Sequence, residues 1–172
     1  MKKPRIPINR SNKFYSEDDF DLDIEMGREA IEEDNNFVVV LFRVDRQITL
    51  FDDLYGEANS DQIRYKTPVE LKVMPTIEEA KNTSYNQNST LRNLEDGNLT
   101  FEIFQRQLDE LGVEITFGDY IGYAVDEDTM RYFSVANDGI KHYDNANTIL
   151  GYKSAYRKVV CTPANPNEFK GL

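Results

Sequence analysis

Apolar positions change their period several times along the chain, and each change predicts an element. From about Asp18 to Asp34, Phe20, Ile24, Gly27 and Ile31 fall at helical spacing along one side, and Ser16 stands where a helix cap is expected. At Phe37 the period becomes that of strands. Phe37 to Val44 and Gln47 to Phe51 predict two strands, and a loop rich in Asp, Gly, Asn and Ser runs from Asp52 to Gln62. Thr67 to Met74 predicts another strand, with Val69, Leu71 and Val73 on one face. After Pro75, the run Thr76-Ile77-Glu78-Glu79 has the form of a capping box opening a short helical turn. Residues Asn82 to Asn98 carry little apolar content and predict an exposed loop.

The second half is more regular. Leu99, Phe101 and Ile103 alternate, Gln105 to Leu111 predicts a helical turn stopped by Gly112, and Val113, Ile115 and Phe117 alternate again. Gly118-Asp119 then marks a tight turn with a structural role, since glycine accepts positive φ and aspartate bonds to nearby backbone amides. Tyr120 to Val125 and Met130 to Val135 flank Asp126-Glu127-Asp128-Thr129 as a hairpin, and Asn137-Asp138-Gly139 is a further turn signal. A last strand is expected near Tyr156 to Cys161. Pro4 and Pro7 hold the start of the chain extended. Together these predict a mainly β domain, a small β-barrel or sandwich, with an N-terminal extended arm and helix, α+β overall. The expected division is 1–36, arm and acidic helix, and 37–172, the β-rich unit.

Composition narrows the function classes. At 172 residues with 40% hydrophobic content there is chain for one core rather than two domains. The longest apolar run, Phe37 to Phe42, has the length of a strand and falls far short of the ~20 residues of a membrane span. The start is positive but lacks the apolar stretch of a secretory signal, so a cytosolic site of synthesis is expected and the sequons at Asn82, Asn88 and Asn98 carry little weight. The net charge of -11 is unevenly spread. Lys2, Lys3, Arg5, Arg10 and Lys13 give the first 13 residues +5, whereas ten acids against Arg28 give residues 14–36 a charge of -9. Such a body repels free nucleic acid, and only the arm suits phosphate contact.

Candidate catalytic chemistry is sparse. There is no phosphate loop, dinucleotide glycine pattern, G-x-S-x-G elbow or H-E-x-x-H pair. His142 stands alone in a polar stretch, and Cys161 lies in the apolar run Val159-Val160-Cys161, where a small buried residue is the default. One cysteine excludes an internal disulfide and one histidine excludes a multi-histidine metal cage. Calcium loops need a ligand spacing and central glycine that the acidic run lacks. Asp109 with Glu110, or Glu127 with Asp128, are conceivable acid–base pairs, but adjacent acids arise by chance among 31. The ten tyrosines offer rigid amphipathic rings for the core and for an interface. No catalytic, cofactor or metal residues are assigned, and no enzyme activity is expected.

A resemblance adds to this picture. The segments Asp61-Gln62-Ile63-Arg64-Tyr65, Pro68-Val69-Glu70-Leu71, Asp96-Gly97-Asn98-Leu99-Thr100-Phe101, Leu108 to Ile115, Gly118-Asp119-Tyr120-Ile121-Gly122-Tyr123 and Gly151-Tyr152-Lys153 resemble neck proteins of tailed bacteriophages, in particular those of T4-like and other large phages. The similarity covers roughly residues 37 to 169. Gly118 to Tyr123, followed by a hairpin and Tyr132-Phe133-Ser134-Val135, is also similar to β-barrel head-closure and connector proteins. The resemblance implies a virion structural protein, made in the host cytoplasm, that forms a homo-oligomeric ring, six- or twelve-fold by analogy. Its partners would be portal, connector and tail proteins, with DNA passing through the lumen without sequence-specific binding and no membrane involved.

Residues 1 to 36 lie outside the resemblance. Their pattern implies that Lys2, Lys3, Arg5, Arg10 and Lys13 steer the arm to an acidic neighbour while Ile6, Ile8 and Phe14 anchor it. A solubilising tail and a contact to DNA phosphate are the alternatives for the arm. For the whole chain, a carbohydrate- or receptor-binding β-module of a phage particle, or a carboxylate hydrolase, are the competing classes.

Overall fold

The computed structural model describes residues 16–49, 63–78, 81–84, 92–95, 97–126, 129–139 and 155–164. The arm, the 52–62 segment, the 127–128 hairpin tip, His142 and the 151–153 segment lie outside these residues.

The acidic helix forms where its periodicity places it. Helix α1, Glu17–Arg28, opens on a full capping box: the Asp19 amide donates to Ser16 Oγ at 3.3 Å, and Asp19 Oδ2 accepts from the Ser16 amide at 2.7 Å. Those bonds to Ser16 hold the Asp19 carboxyl below its ordinary range. The helix continues as a π-helical segment, Glu29–Asn35, and stops at Asn36 in the left-handed region. Phe20 and Ile24 are buried with Phe104 and Ala155, and Ile31 packs against them.

Seven strands make one antiparallel sheet in the order β2-β1-β7-β8-β9-β6-β3. They are β1 Val38–Phe42, β2 Val69–Lys72, β3 Met74–Ile77, β6 Leu99–Phe104, β7 Tyr120–Ala124, β8 Met130–Asn137 and β9 Tyr156–Pro163. The edge strands β2 and β3 are consecutive in the chain, separated by Val73 alone, so the sheet curls enough for its two edge strands to meet end to end at that residue. The sheet is not closed into a barrel: β2 bonds to β1, β3 bonds to β6, and among the described residues no ladder joins β2 to β3. The expected barrel or sandwich is therefore a single curled sheet that does not close by hydrogen bonding. The concave face holds the core, which includes Val39, Leu41, Leu71, Phe101, Ile103, Ile121, Phe133, Val159 and Cys161.

Helix α2, Gln105–Leu111, lies across the opening between β2 and β6. Its Leu108 enters the core, and the buried Gln107 accepts from the Lys72 amide at 3.1 Å and donates to the Lys72 carbonyl at 3.2 Å, taking the place of a neighbouring strand. The helix ends at Gly112, φ 63°, with Gly112 N donating to Asp109 O and Val113 N to Leu108 O, the paired bonds of a Schellman cap.

Several local expectations are corrected. Gln47 to Thr49 is a turn, because Asp45 Oδ1 accepts from the Gln47 amide and the Asp45 carbonyl accepts from Ile48 and Thr49; Phe51 lies outside the described residues. The single strand expected over Thr67 to Met74 breaks at Val73 and serves both edges. Thr76 and Ile77 belong to β3 rather than to a helical turn, with Pro75 tolerated because an edge strand leaves one side unbonded. Val113 to Phe117 forms no strand, since the Schellman cap and the Asp119 carboxylate fix its backbone from both ends. Ile115 is buried there, and Phe117 is exposed.

The expected loop Asn82 to Asn98 contains two strands, β4 Lys81–Ser84 and β5 Arg92–Glu95. They pair with each other and, among the described residues, with no strand of the large sheet. Lys81 faces Glu95 and Ser84 faces Arg92, while Ile77 faces Leu99 and Met74 faces Glu102. The two residue numbers in every pair of both ladders have the same total. Glu78 N donates to Asn98 O at 3.0 Å, one step past the β3–β6 ladder.

Candidate functional site

Strand alternation sends every second side chain into the concave face, and two of the rows end in arginine. Val39, Leu41 and Arg43 share the inward parity of β1 and its exit, and Cys161, Val159 and Arg157 share that of β9. Both rows finish at the same mouth of the curled sheet, where a groove of about 730 Å³ opens beside α2. Arg43, Arg46, Lys66 and Arg157 bring the positive charges of the groove, and Asp45, Asp109, Glu114 and Asp119 bring its carboxylates.

The carboxylates are largely committed to structure. Asp119, 1% exposed, accepts from the Val44 amide through Oδ1 at 2.9 Å and from the Thr116 amide and hydroxyl through Oδ2 at 2.8 and 2.9 Å. Its own amide and carbonyl bond to Thr116 O and Val135 N, so one residue ties the exit of β1 to the entry of β7 and to β8. Gly118, φ 84°, makes the turn that delivers it. Asp45 Oδ1 accepts from Gln47 N, and Asp109 Oδ1 accepts from Gln105 Nε2. Glu114 lies outward, 3.8 Å from Arg157 Nη2.

The guanidiniums are less completely satisfied. Arg46 Nη2 donates to Phe117 O at 2.7 Å, and Arg157 Nε donates to Gln105 Oε1. Arg43 Nε and Arg157 Nη1 are buried with no hydrogen-bond partner among the described residues. Charge alone did not reveal these two in the sequence. The available signal was parity: a basic residue one step beyond Val39-Leu41, and another one step before Val159-Cys161.

A second charged region joins the helices. Arg28 donates to both oxygens of Glu32 and both oxygens of Glu110, which raises the guanidinium pKa further, Glu32 contributing most. Glu110 is correspondingly held below its ordinary range by Arg28. Arg106 pairs with Asp21 at 2.8 Å. Asp109 and Glu110 are thus engaged separately, one with Gln105 and the other with Arg28, and do not form an acid–base pair. Glu127 and Asp128 lie outside the described residues.

Cys161 is fully buried in the core, and burial pushes its thiol up to about 12. On the convex face Phe42, Tyr65, Tyr120 and Tyr132 pack edge to face, with ring centroids 5.9 to 6.3 Å apart, over the close approach at Gly122. The tentative interface residues Lys2, Lys3, Arg5, Ile6, Ile8, Arg10, Lys13 and Phe14 fall outside the described residues. Among the described residues no cluster of three His, Cys, Asp or Glu is spaced to hold a metal, and no helix is long and apolar enough to cross a membrane.

No protein-family model matches the chain, and no curated protein matches it.

Proposed function

We propose that this chain is a structural protein of a tailed-phage neck, a subunit of a ring that joins the portal or head to the tail and surrounds the DNA exit channel. The observation that carries the reading is the β-ribbon, in which β4 and β5 pair with each other apart from the seven-stranded sheet. A subunit that must hold neighbours in a closed ring needs a surface that reaches beyond its own core, and paired strands supply reach with a fixed backbone direction. Met74 and Ile77 in the edge strand β3 are 52% and 46% exposed, which places apolar contact area on that edge. Five of the six segments that carry the phage resemblance include described residues, and these lie in or beside the sheet, at the start of β6, at the Schellman cap and at the Gly118 turn. The acidic surface suits a lumen that DNA must traverse without adhering.

The end of the β3–β6 ladder at Ile77 and Leu99 defines the test. Removing residues 79–97 and joining Glu78 to Asn98 through an Asn-Gly turn shortens the ribbon without shifting any pair of the large sheet. The shortened protein is expected to fold, to stay monomeric where the full chain forms rings in sedimentation, and to be missing from assembled particles. Deleting residues 1–13 is expected to leave rings intact but block their docking on the acidic neighbour. Normal ring formation and incorporation by the shortened chain would sink the reading.

A further inference from the structure

We propose that copies of this chain join head to tail, with the mouth end of β1 and β7 on one copy seated against the β7–β8 hairpin end of a second copy. The contact names surfaces for the ring described above and rests on that reading for closure, because a head-to-tail contact either closes into a ring or runs on as a filament. It starts from two exposed apolar patches at opposite ends of one antiparallel pair. Phe42 faces Tyr120 and Val40 faces Gly122, so the exit of β1 and the entry of β7 share one end of the sheet, while Val38 and Ala124 lie at the other.

At the mouth end, Phe117 is 68% exposed and Ile48 is 64% exposed. Hydrogen bonds fix the backbone beneath both. Thr116 N donates to Asp119 Oδ2 at 2.8 Å, Gly118 N donates to Val135 O at 3.0 Å, and Arg46 Nη2 donates to the Phe117 carbonyl. Ile48 stands in the turn closed by the Asp45 carbonyl, and Thr49 Oγ1 accepts from Arg64 N at 3.1 Å, which brings the 63–66 segment alongside. Exposed apolar side chains on fixed backbone lose little freedom on contact and serve as interface anchors. Around them the charge is positive: in the described 45–49 and 63–66 segments the exposed charged residues are Arg46, Arg64 and Lys66, while Asp45 is half-buried with Oδ1 accepting from Gln47 N. Glu114, the exposed acid of the 113–118 loop, lies 3.8 Å from Arg157 Nη2.

The hairpin end has the opposite sign. Ala124 pairs with Met130, and Val125 N donates to Thr129 O at 2.9 Å. Val38, Val125 and Met130 are exposed there, and the connecting sequence carries Asp126, Glu127 and Asp128. Arg131 shares the inward parity of Phe133 and Val135 and so takes the other face from Met130. Charge therefore selects the occupant. A mouth-to-mouth contact sets Arg46, Arg64 and Lys66 against their own copies, and a hairpin-to-hairpin contact opposes the three acids. Only the mixed contact joins an apolar patch rimmed by cations to one rimmed by carboxylates.

The test uses two full-length variants at exposed positions, Phe117→Ser and Val125→Lys, both with the ribbon intact. Each alone is expected to self-associate at least tenfold more weakly than wild type in sedimentation equilibrium. Mixed one to one, they are expected to form a dimer of one chain of each and nothing larger. That dimer joins the intact mouth of the Val125→Lys chain to the intact hairpin of the Phe117→Ser chain, and the two ends left over are both spoiled. Should either variant fail to fold, amide resonances of the wild-type chain over a dilution series serve instead: Phe117 and Val125 are expected to shift along one concentration curve while Val159 in the core stays fixed. A wild-type chain that is monomeric at every concentration, self-association of either variant as tight as wild type, or a mixture without the paired dimer would each overturn the contact. Rings that persist in Phe117→Ser would remove this contact and leave the neck reading in place, whereas a paired dimer of chains that never enter phage particles would keep the contact and remove that reading.

Discussion

Replacing Asp119 by alanine tests how the corner beside the groove is held. The substitution removes three hydrogen bonds and leaves the amides of Val44 and Thr116 without their acceptor in a part-buried position. The Thr116 hydroxyl can turn elsewhere, so the lasting cost is that of two stranded backbone donors, at about 1–3 kcal/mol each. Relaxation that lets water reach one of them reduces the total, and roughly 2–5 kcal/mol is expected. For a chain of this size that corresponds to a fall in Tm of about 5–15 °C. Asp119→Asn keeps the shape and one acceptor oxygen but turns an amide donor toward another donor, so it should fall between wild type and alanine. Urea denaturation gives the free energies, and an unchanged m-value certifies that the same surface unfolds. Amide exchange locates the effect: protection should drop at Val44 and Thr116 while Val159 in the core stays protected. A loss under about 1 kcal/mol in Asp119→Ala, or undiminished protection at Val44, would falsify the view that this carboxylate joins the exit of β1 to the entry of β7.

The elements legible in the sequence were those whose information is local. Ser16 and Asp19 sit three residues apart and cap one another, Gly112 ends α2 by its own conformation, and β7 and β8 are joined by a short hairpin. Alternation misled where a side chain from elsewhere set the backbone. Val113, Ile115 and Phe117 alternate as a strand would, yet Asp119 draws Thr116 into a turn. Thr76 to Glu79 satisfies a capping-box pattern, but antiparallel pairing with Leu99 and Thr100 in β6 claims Thr76 and Ile77 as strand. The ribbon was missed because Lys81 to Ser84 and Arg92 to Glu95 carry no hydrophobic period. The curl of the sheet depends on Val73 lying between two edges that are far apart in strand order, a relation with no local signature. The groove was hidden because Arg43 and Arg157 are separated by 114 positions and meet only when both rows end at one mouth.

Two substitutions probe the remaining packing and burial. Gly27→Ala would normally gain about 1 kcal/mol from helix propensity, but a Cβ at Gly27 meets Phe104 Cζ at 2.7 Å, and that ring is held among Phe20, Ile24 and Ala155. Overpacking at about 1–3 kcal/mol should prevail, so a lower midpoint in urea is expected, and a stabilised variant would show that Phe104 yields freely. Cys161 supplies the pH test. Burial raises its thiol from the ordinary 9.0 to about 12, and the phenol of Tyr65 rises from 10.0 to about 12, first through burial and then through Tyr120. A raised folded value means that the unfolded chain ionises first, so the stability these groups contribute is complete below their ordinary values and is lost as pH climbs toward 12. Between pH 9 and 10 the Cys161 thiol is the earlier of the two to act, with a limiting slope of about 1.4 kcal/mol per pH unit. Cys161→Ala starts from a lower stability because of the cavity it leaves, but its decline over that interval should be distinctly shallower than that of wild type. Urea titrations at closely spaced pH measure both slopes, and parallel declines in the two proteins would show that a group other than the buried thiol governs alkaline unfolding.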